Sequence, residues 1–532
     1  MRRLLCILMM ACGDEKGPDS DMAAEDTDPK PADDTSTLGD DTATDSGEPL
    51  PPPGCRHETS TALGEKTCIQ TAACTWEGAQ QGSYSGFSVA AGLDFDGDGR
   101  EDIALGAPLY DVQTMTSGLW ADAGLVQLIS AAQIGEPEMG ILGHLGGRDD
   151  GDLLGTAVAL VPDINGDGLA EIIAGARGSG ASGESYAGEV QLLLGSATGW
   201  EEDTDSGTII PTSRFWGERA YSRVGKVVAG GQDVDGDGLG EVWISGELNQ
   251  VGTSSSYEYN AEGRIYRIAG HTEDWEEVTS LADADAAIDG VDSMGGAGLA
   301  LAADADLDGD GYGDLVVGAP YATSNKGTVY LVPGGPEAMR GSSSLEDAPV
   351  QLIGEAAGDT FGWTVAVGDV TGDGQPDLIV GAPLADSSTP DAGLVTIYEG
   401  GPSMLTDGPT IRTQIAGEFD DHQLGTGLMA GRDLTGDGQA DLVMGAVNAW
   451  QGLTTKGGRL YILAGTPALP EMSSARFVDH QVYGAEVKEY LGRAMGQADL
   501  DADGKTDLLV GSGYANGEEG VDAGRLYLFW GE

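Results

Sequence analysis

The chain has 532 residues, with 88 Asp and Glu against 26 Lys and Arg, a formal net charge of -62, and 87 glycines. That charge repels nucleic acid and anionic membrane surfaces, which excludes both as partners, and it suits a protein that collects divalent cations. Abundant glycine and few aromatics describe a chain of short strands and many turns.

In chain order, the first element is "MRRLLCILMMAC". Two arginines, an apolar run from Leu4 to Ala11 and then Cys12 read as an export signal over residues 1–12. Its last four residues resemble a bacterial lipoprotein signal, in which Cys12 is lipidated and begins the mature chain. Residues 13–54 are rich in Asp, Thr, Ser and Pro and almost free of large apolar side chains. Such a segment cannot offset its ordering entropy, so it is expected to be a disordered acidic tether. Signal and tether together predict an exported protein, either an outer-membrane or cell-surface lipoprotein of a bacterium or a secreted one. Membrane contact is then limited to the N-terminal lipid. No other apolar run approaches the roughly 18 residues that span a bilayer.

Residues 55–71 are a cysteine-containing lead-in. In an exported chain two of Cys55, Cys68 and Cys74 are expected to pair, which leaves one over, and the sequence does not choose the pair. Their spacing offers no second CxxC and no histidine partner, which argues against zinc.

From residue 72 to 532 one spelling recurs. "DLDGDGYGDLVVGAP" at 306–320 has six relatives, beginning at Asp94, Asp163, Asp233, Asp369, Asp433 and Asp499. The seven copies lie 69, 70, 73, 63, 64 and 66 residues apart. A steady long period marks a repeat architecture.

Each copy places side-chain oxygens at positions 1, 3, 5 and 9 and a glycine at position 6. Position 1 is the Asp just named in each copy, Asp306 included. Position 3 is Asp96, Asn165, Asp235, Asp308, Thr371, Thr435 or Asp501, and position 5 is Asp98, Asp167, Asp237, Asp310, Asp373, Asp437 or Asp503. Position 9 is always a carboxylate: Asp102, Glu171, Glu241, Asp314, Asp377, Asp441 or Asp507. Position 7 varies freely, as expected of a site that uses only its backbone carbonyl. Alternating oxygen donors in a tight loop suit Ca2+, which takes six to eight oxygens at about 2.3–2.6 Å. The expectation is up to seven calcium ions, one per repeat. This is not an EF-hand, because position 12 is apolar or small and the flanks do not read as helices. A metal-free Asp-Gly hairpin would explain one copy, but a plain turn has no evident need for the carboxylate at position 9.

Around each loop the sequence predicts four short strands. A Gly-led segment such as "FGWTVAVGD" precedes the loop and an aliphatic run follows it; then come a segment such as "KGTVYLVPG" and a last one such as "VQLIGE". Four strands repeated radially make a propeller. The pattern FG…DxDxDGxxD…GAP resembles the FG-GAP repeat of integrin α-subunit head domains and of many bacterial exported proteins. The resemblance implies an all-β, seven-bladed β-propeller with calcium in loops between first and second strands. The leading FG is intact only at Phe361-Gly362, and GAP is complete only at 106–108, 318–320 and 381–383. The seventh repeat has no fourth strand of its own before Glu532. "CTWEGAQQGSYSG" (74–86) aligns with "QLIGEAAGDTFG" (351–362), so residues 72–78 are predicted to pair with residues 523–530 and close the ring.

No enzyme is expected. The five histidines share no spacing, no G-x-S-x-G occurs, and catalytic groups do not recur with a fold. An extracellular hydrolase is therefore the least favoured reading. The leading one, following the integrin resemblance, is an adhesion or protein-binding module; a glycan-binding, lectin-like propeller is the alternative. The longest and most varied connections run between second and third strands, opposite the metal loops. They carry Trp120, Tyr186, Tyr257, Tyr259 and Trp450 as candidate ligand anchors.

Overall fold

The computed structural model describes residues 67–68, 72 and 74–531, except 134–139, 181–182, 247–261, 407, 452–454, 471, 485–487 and 517–519. The signal, the tether, Cys12, Cys55, Tyr257 and Tyr259 lie outside the described residues. None of the described helices is long and apolar enough to cross a membrane.

The chain is all-β. Ser88–Leu93, Asp102–Ala107, Leu125–Ser130 and Gly140–Gly146 pair antiparallel in chain order, forming a four-stranded meander. Among the described residues this arrangement occurs seven times, once per acidic loop. Its first strands are Ser88–Leu93, Leu154–Val161, Val228–Gly231, Ala300–Ala305, Thr364–Gly368, Leu424–Ala430 and Ala494–Ala498. Each touches the next, and the last touches the first, so the meanders form a β-propeller. In the seventh, the outer strand comes from the far end of the sequence. Cys74–Glu77 pairs antiparallel with Arg525–Phe529, with Cys74 opposite Leu528 and Glu77 opposite Arg525.

The second strand of each meander is covered on both faces. Asp102–Ala107, Glu171–Ala176 and Asp377–Ala382 are buried at every position. Apart from the acidic residue that opens each of these three, they read as continuous apolar runs without polar alternation. Between meanders the packing is close enough to exclude side chains. A Cβ on Gly175 would lie 1.9 Å from the carbonyl oxygen of Gly225, and one on Gly225 would lie 2.9 Å from the Gly175 Cα. These are the glycines of the motif's trailing and leading ends in successive repeats, so the two halves of the pattern specify one backbone contact.

One feature is absent from the predicted four-strand scheme. Val278–Ser280, Gly341–Ser344 and Met472–Ser474, each leading into the fourth strand of its own repeat, pair parallel with the fourth strand of a preceding one. Thr67–Cys68 does the same on His480–Tyr483. Ser280, Ser344 and Ser474 then cap single turns of 3-10 helix, their hydroxyls accepting from the N–H two residues on. Cys74 is disulfide-bonded, and its partner lies outside the described side chains.

Candidate metal centre

Each acidic loop joins the first and second strands of a meander, and its backbone is folded around its own first Asp. In the fourth loop Asp306 Oδ1 accepts from Gly309 N at 2.7 Å and from Asp310 N at 3.1 Å, and Oδ2 accepts from Gly311 N at 2.8 Å. Asp310 Oδ1 then accepts from Tyr312 N. Glycines at positions 4 and 6 make this possible, since both carry left-handed backbone, with φ of 76° at Gly309 and 96° at Gly311. The bonds from positions 4 and 6 form also in the first loop on Asp94, the second on Asp163, the third on Asp233 and the sixth on Asp433. The fifth and seventh loops keep the bonds from positions 5 and 6 to Asp369 and Asp499.

The position 9 carboxylate has a task that the sequence did not disclose. Asp314 Oδ2 accepts from Leu307 N at 2.8 Å and Oδ1 accepts from Gly334 N at 2.9 Å, which ties the loop to the end of the third strand. Asp102, Asp441 and Asp507 bridge in the same way. Asp377 receives Thr371 N and Gly400 N. The view that a turn has no need of this carboxylate is therefore corrected: buried backbone donors need partners, and it supplies two.

Carboxylates within single loops also converge on one another. Oxygens of Asp94, Asp96 and Asp102 lie within 4.8 Å of one another, as do those of Asp163, Asp167 and Glu171, of Asp233, Asp235 and Glu241, of Asp306, Asp308 and Asp314, and of Asp433, Asp437 and Asp441. In the second loop Glu171 is fully buried and its Oε1 has no hydrogen-bond partner. Burial pushes the position 9 acids up, to about 7 at Asp102 and Asp507, about 8 at Glu171 and about 6 at Asp314 and Asp377, with neighbouring loop carboxylates adding to the rise. Asp441 is raised by burial as well. Position 3 follows at Asp96, Asp308 and Asp501, again by burial first. An all-oxygen donor set with an orphaned buried oxygen and desolvated, mutually repelling charges fits a hard divalent cation.

The third loop differs. Arg267, from the third strand of its repeat, donates Nη2 to Asp235 Oδ2 at 2.6 Å and to Glu241 Oε1 at 2.7 Å.

On the opposite face Tyr186 and Trp450 are exposed, at 51% and 41%. Trp120 is half-buried in a small hairpin, where Val112–Gln113 pairs with Leu119–Trp120. Tyr186 stacks on Tyr221, with ring centroids 5.7 Å apart. Tyr221 was not singled out in the sequence because it lies in a different connection, after a fourth strand. Of the histidines, His144, His422 and His480 each bury a ring nitrogen, Nδ1, without a hydrogen-bond partner.

Five segments, residues 85–129, 154–193, 297–332, 361–398 and 491–529, match the FG-GAP repeat family. The chain is 36% identical over 159 residues to integrin alpha-PS2 of Drosophila melanogaster, covering 29% of this chain and 11% of that protein. It is 30% identical over 243 residues to integrin alpha pat-2 of Caenorhabditis briggsae, covering 44% and 18%. It is 29% identical over 268 residues to phosphatidylinositol-glycan-specific phospholipase D of Homo sapiens, covering 47% and 29%. The match thus spans less than a third of each of these relatives. Repeated acidic loops, the glycine contact between meanders and these five matched segments make the chain an FG-GAP repeat protein with an integrin α-like β-propeller.

Proposed function

We propose that this propeller is a calcium-stabilised, protein-binding module of the adhesion type, working at an extracellular surface. The integrin relatives support adhesion as the class of function. The acidic loops support calcium as a structural ion, held by side-chain oxygens at positions 1, 3, 5 and 9 and by the carbonyl at position 7. Binding without catalysis is supported by the recurrence of the carboxylates with the fold. The phospholipase match covers too little of that protein to carry its activity here.

The observation that favours protein recognition most is the Tyr186–Tyr221 pair. Both rings are exposed, at 51% and 43%. Both residues hold left-handed backbone, with φ of 53° and 65°, fixed by Tyr221 N donating to Ser185 O and Arg223 N donating to Tyr186 O. The same left-handed backbone and bonds recur at Asp391 and Asp421 in another repeat, so the connection itself is rigid, and two stacked exposed rings set on it make a pre-organised anchor of the kind found at protein interfaces.

A glycan-binding reading has one feature in its favour. An open cleft of about 680 Å³ on the metal-loop side includes Phe477, Asp437, Gln439 and Asp479 in its lining. The test is to probe the purified chain against extracellular-matrix proteins and against a glycan array, each with calcium and with chelator. Calcium-dependent protein binding that Tyr186→Ala and Tyr221→Ala weaken supports the proposal. Glycan binding lost on Phe477→Ala, with no protein binding, replaces it.

A further inference from the structure

We infer that the third loop is closed to calcium by the chain's own guanidinium, so that this ring has at most six metal sites among its seven acidic loops. The inference rests on the calcium reading above and sharpens it.

Arg267 occupies a core position of its blade. It stands opposite Trp243 in the register between third and second strands. The equivalent residues in the other repeats are Leu128, Leu192, Leu331, Ile397, Ile462 and Leu528. All six are fully buried aliphatics that cannot neutralise anything. Only the third repeat places a cation there, and that cation is 1% exposed.

Its geometry does part of what a metal ion would have to do, although Asp235 Oδ1 stays buried without a hydrogen-bond partner. One nitrogen, Nη2, bridges the position 3 and position 9 carboxylates, Asp235 at 2.6 Å and Glu241 at 2.7 Å. Those two residues are 8% and 1% exposed at the side chain, so water does not screen the contacts. Arg340 adds a second positive charge, 3.6 Å from Asp235 Oδ2. Among the described residues no other loop has a basic side chain bridging these two positions; the ion pairs elsewhere in the metal loops are Lys505 with Asp503 in the seventh, at 3.8 Å and half-exposed, and Arg432 with Glu101 in the first, at position 8, which offers the metal no oxygen in the predicted donor set. A divalent ion entering the third loop would meet a fixed guanidinium within bonding distance of two of its ligands. It would have to expel a buried arginine that has no other acceptor among the described residues, and leaving that charge buried without a partner is costly.

The test counts calcium bound per full-length chain by equilibrium dialysis against calcium alone. Wild type is expected to bind no more than six ions. Asp233→Ala, at position 1 of the third loop, should leave the count unchanged, whereas Asp163→Ala in the second should lower it by one. Arg267→Leu, the residue type of the other repeats, should raise it by one. A count of seven in wild type, the loss of one ion in Asp233→Ala, or a folded Arg267→Leu chain that gains none would each overturn the inference while sparing the calcium reading. Should Arg267→Leu fail to fold, the Asp233→Ala count decides alone. A wild-type chain that binds no calcium removes both.

Discussion

Arg432 and Glu101 clasp the ring where its ends meet. Although 331 residues apart in sequence, they form a two-pronged pair, Nη1 to Oε2 at 2.6 Å and Nη2 to Oε1 at 2.8 Å. Arg432 Nη2 also donates to Gly92 O, and Glu101 Oε2 accepts from Asp499 N. The first, sixth and seventh repeats are thereby joined at one point.

Because the pair is bidentate and only about a third exposed on each side, it is expected to exceed an ordinary surface ion pair. A double-mutant cycle with Arg432→Ala and Glu101→Ala, read from urea unfolding, should give a coupling of roughly 1–2 kcal/mol. A coupling near zero would show that closure rests on strand pairing alone.

Calcium should raise the thermal midpoint of the metal-free chain, and magnesium should raise it less, since it demands a smaller octahedral site. Each site contributes about 2.7 kcal/mol when the free ion is at a hundred times its dissociation constant. Identical melting curves in excess chelator and in excess calcium would count against the calcium reading.

His422 supplies a pH dependence independent of the loops. Burial lowers its pKa from 6.5 to about 4, with Arg459 and Lys456 adding to the depression and Asp420 and Asp421 opposing it. The unfolded chain therefore binds a proton more readily than the folded one between those values. The stability linked to neutral His422 is complete above pH 6.5 and is lost as pH falls through 4. Urea midpoints at pH 7, 5.5 and 4 should fall less steeply in His422→Gln than in wild type; parallel curves would refute the assignment.

Glycine positions give a paired prediction of opposite sign. Gly175→Ala should destabilise by about 1–3 kcal/mol or more, because its Cβ would strike the Gly225 backbone, which cannot move aside as a side chain does. Ala502, at position 4 of the seventh loop, holds φ of 58° where the other six repeats have glycine. Ala502→Gly should stabilise by roughly 1 kcal/mol through relief of that strain. Denaturant midpoints measured at saturating calcium check both.

What the sequence determines by itself is whatever repeats. Period, strand order, the left-handed glycine at position 6 and the oxygen positions of the loop recur seven times, and each recurrence filters out local accident. Tyr186 and Trp450 were legible as exposed aromatics because long connections opposite a uniform loop face solvent. Tertiary structure decided what occurs once or joins distant segments. Arg267 lies 26 residues beyond Glu241 in a strand that reads as ordinary core, and only the strand register aims its guanidinium into the loop. The second task of the position 9 carboxylate depends on a backbone N–H some twenty residues away, as with Asp314 and Gly334. Parallel pairing of Val278–Ser280 on Ser213–Trp216 crosses from one repeat to another. Local pattern encodes conformation within a repeat, whereas charge compensation and hydrogen-bond satisfaction in a buried space are settled by whichever groups folding brings within about 3 Å.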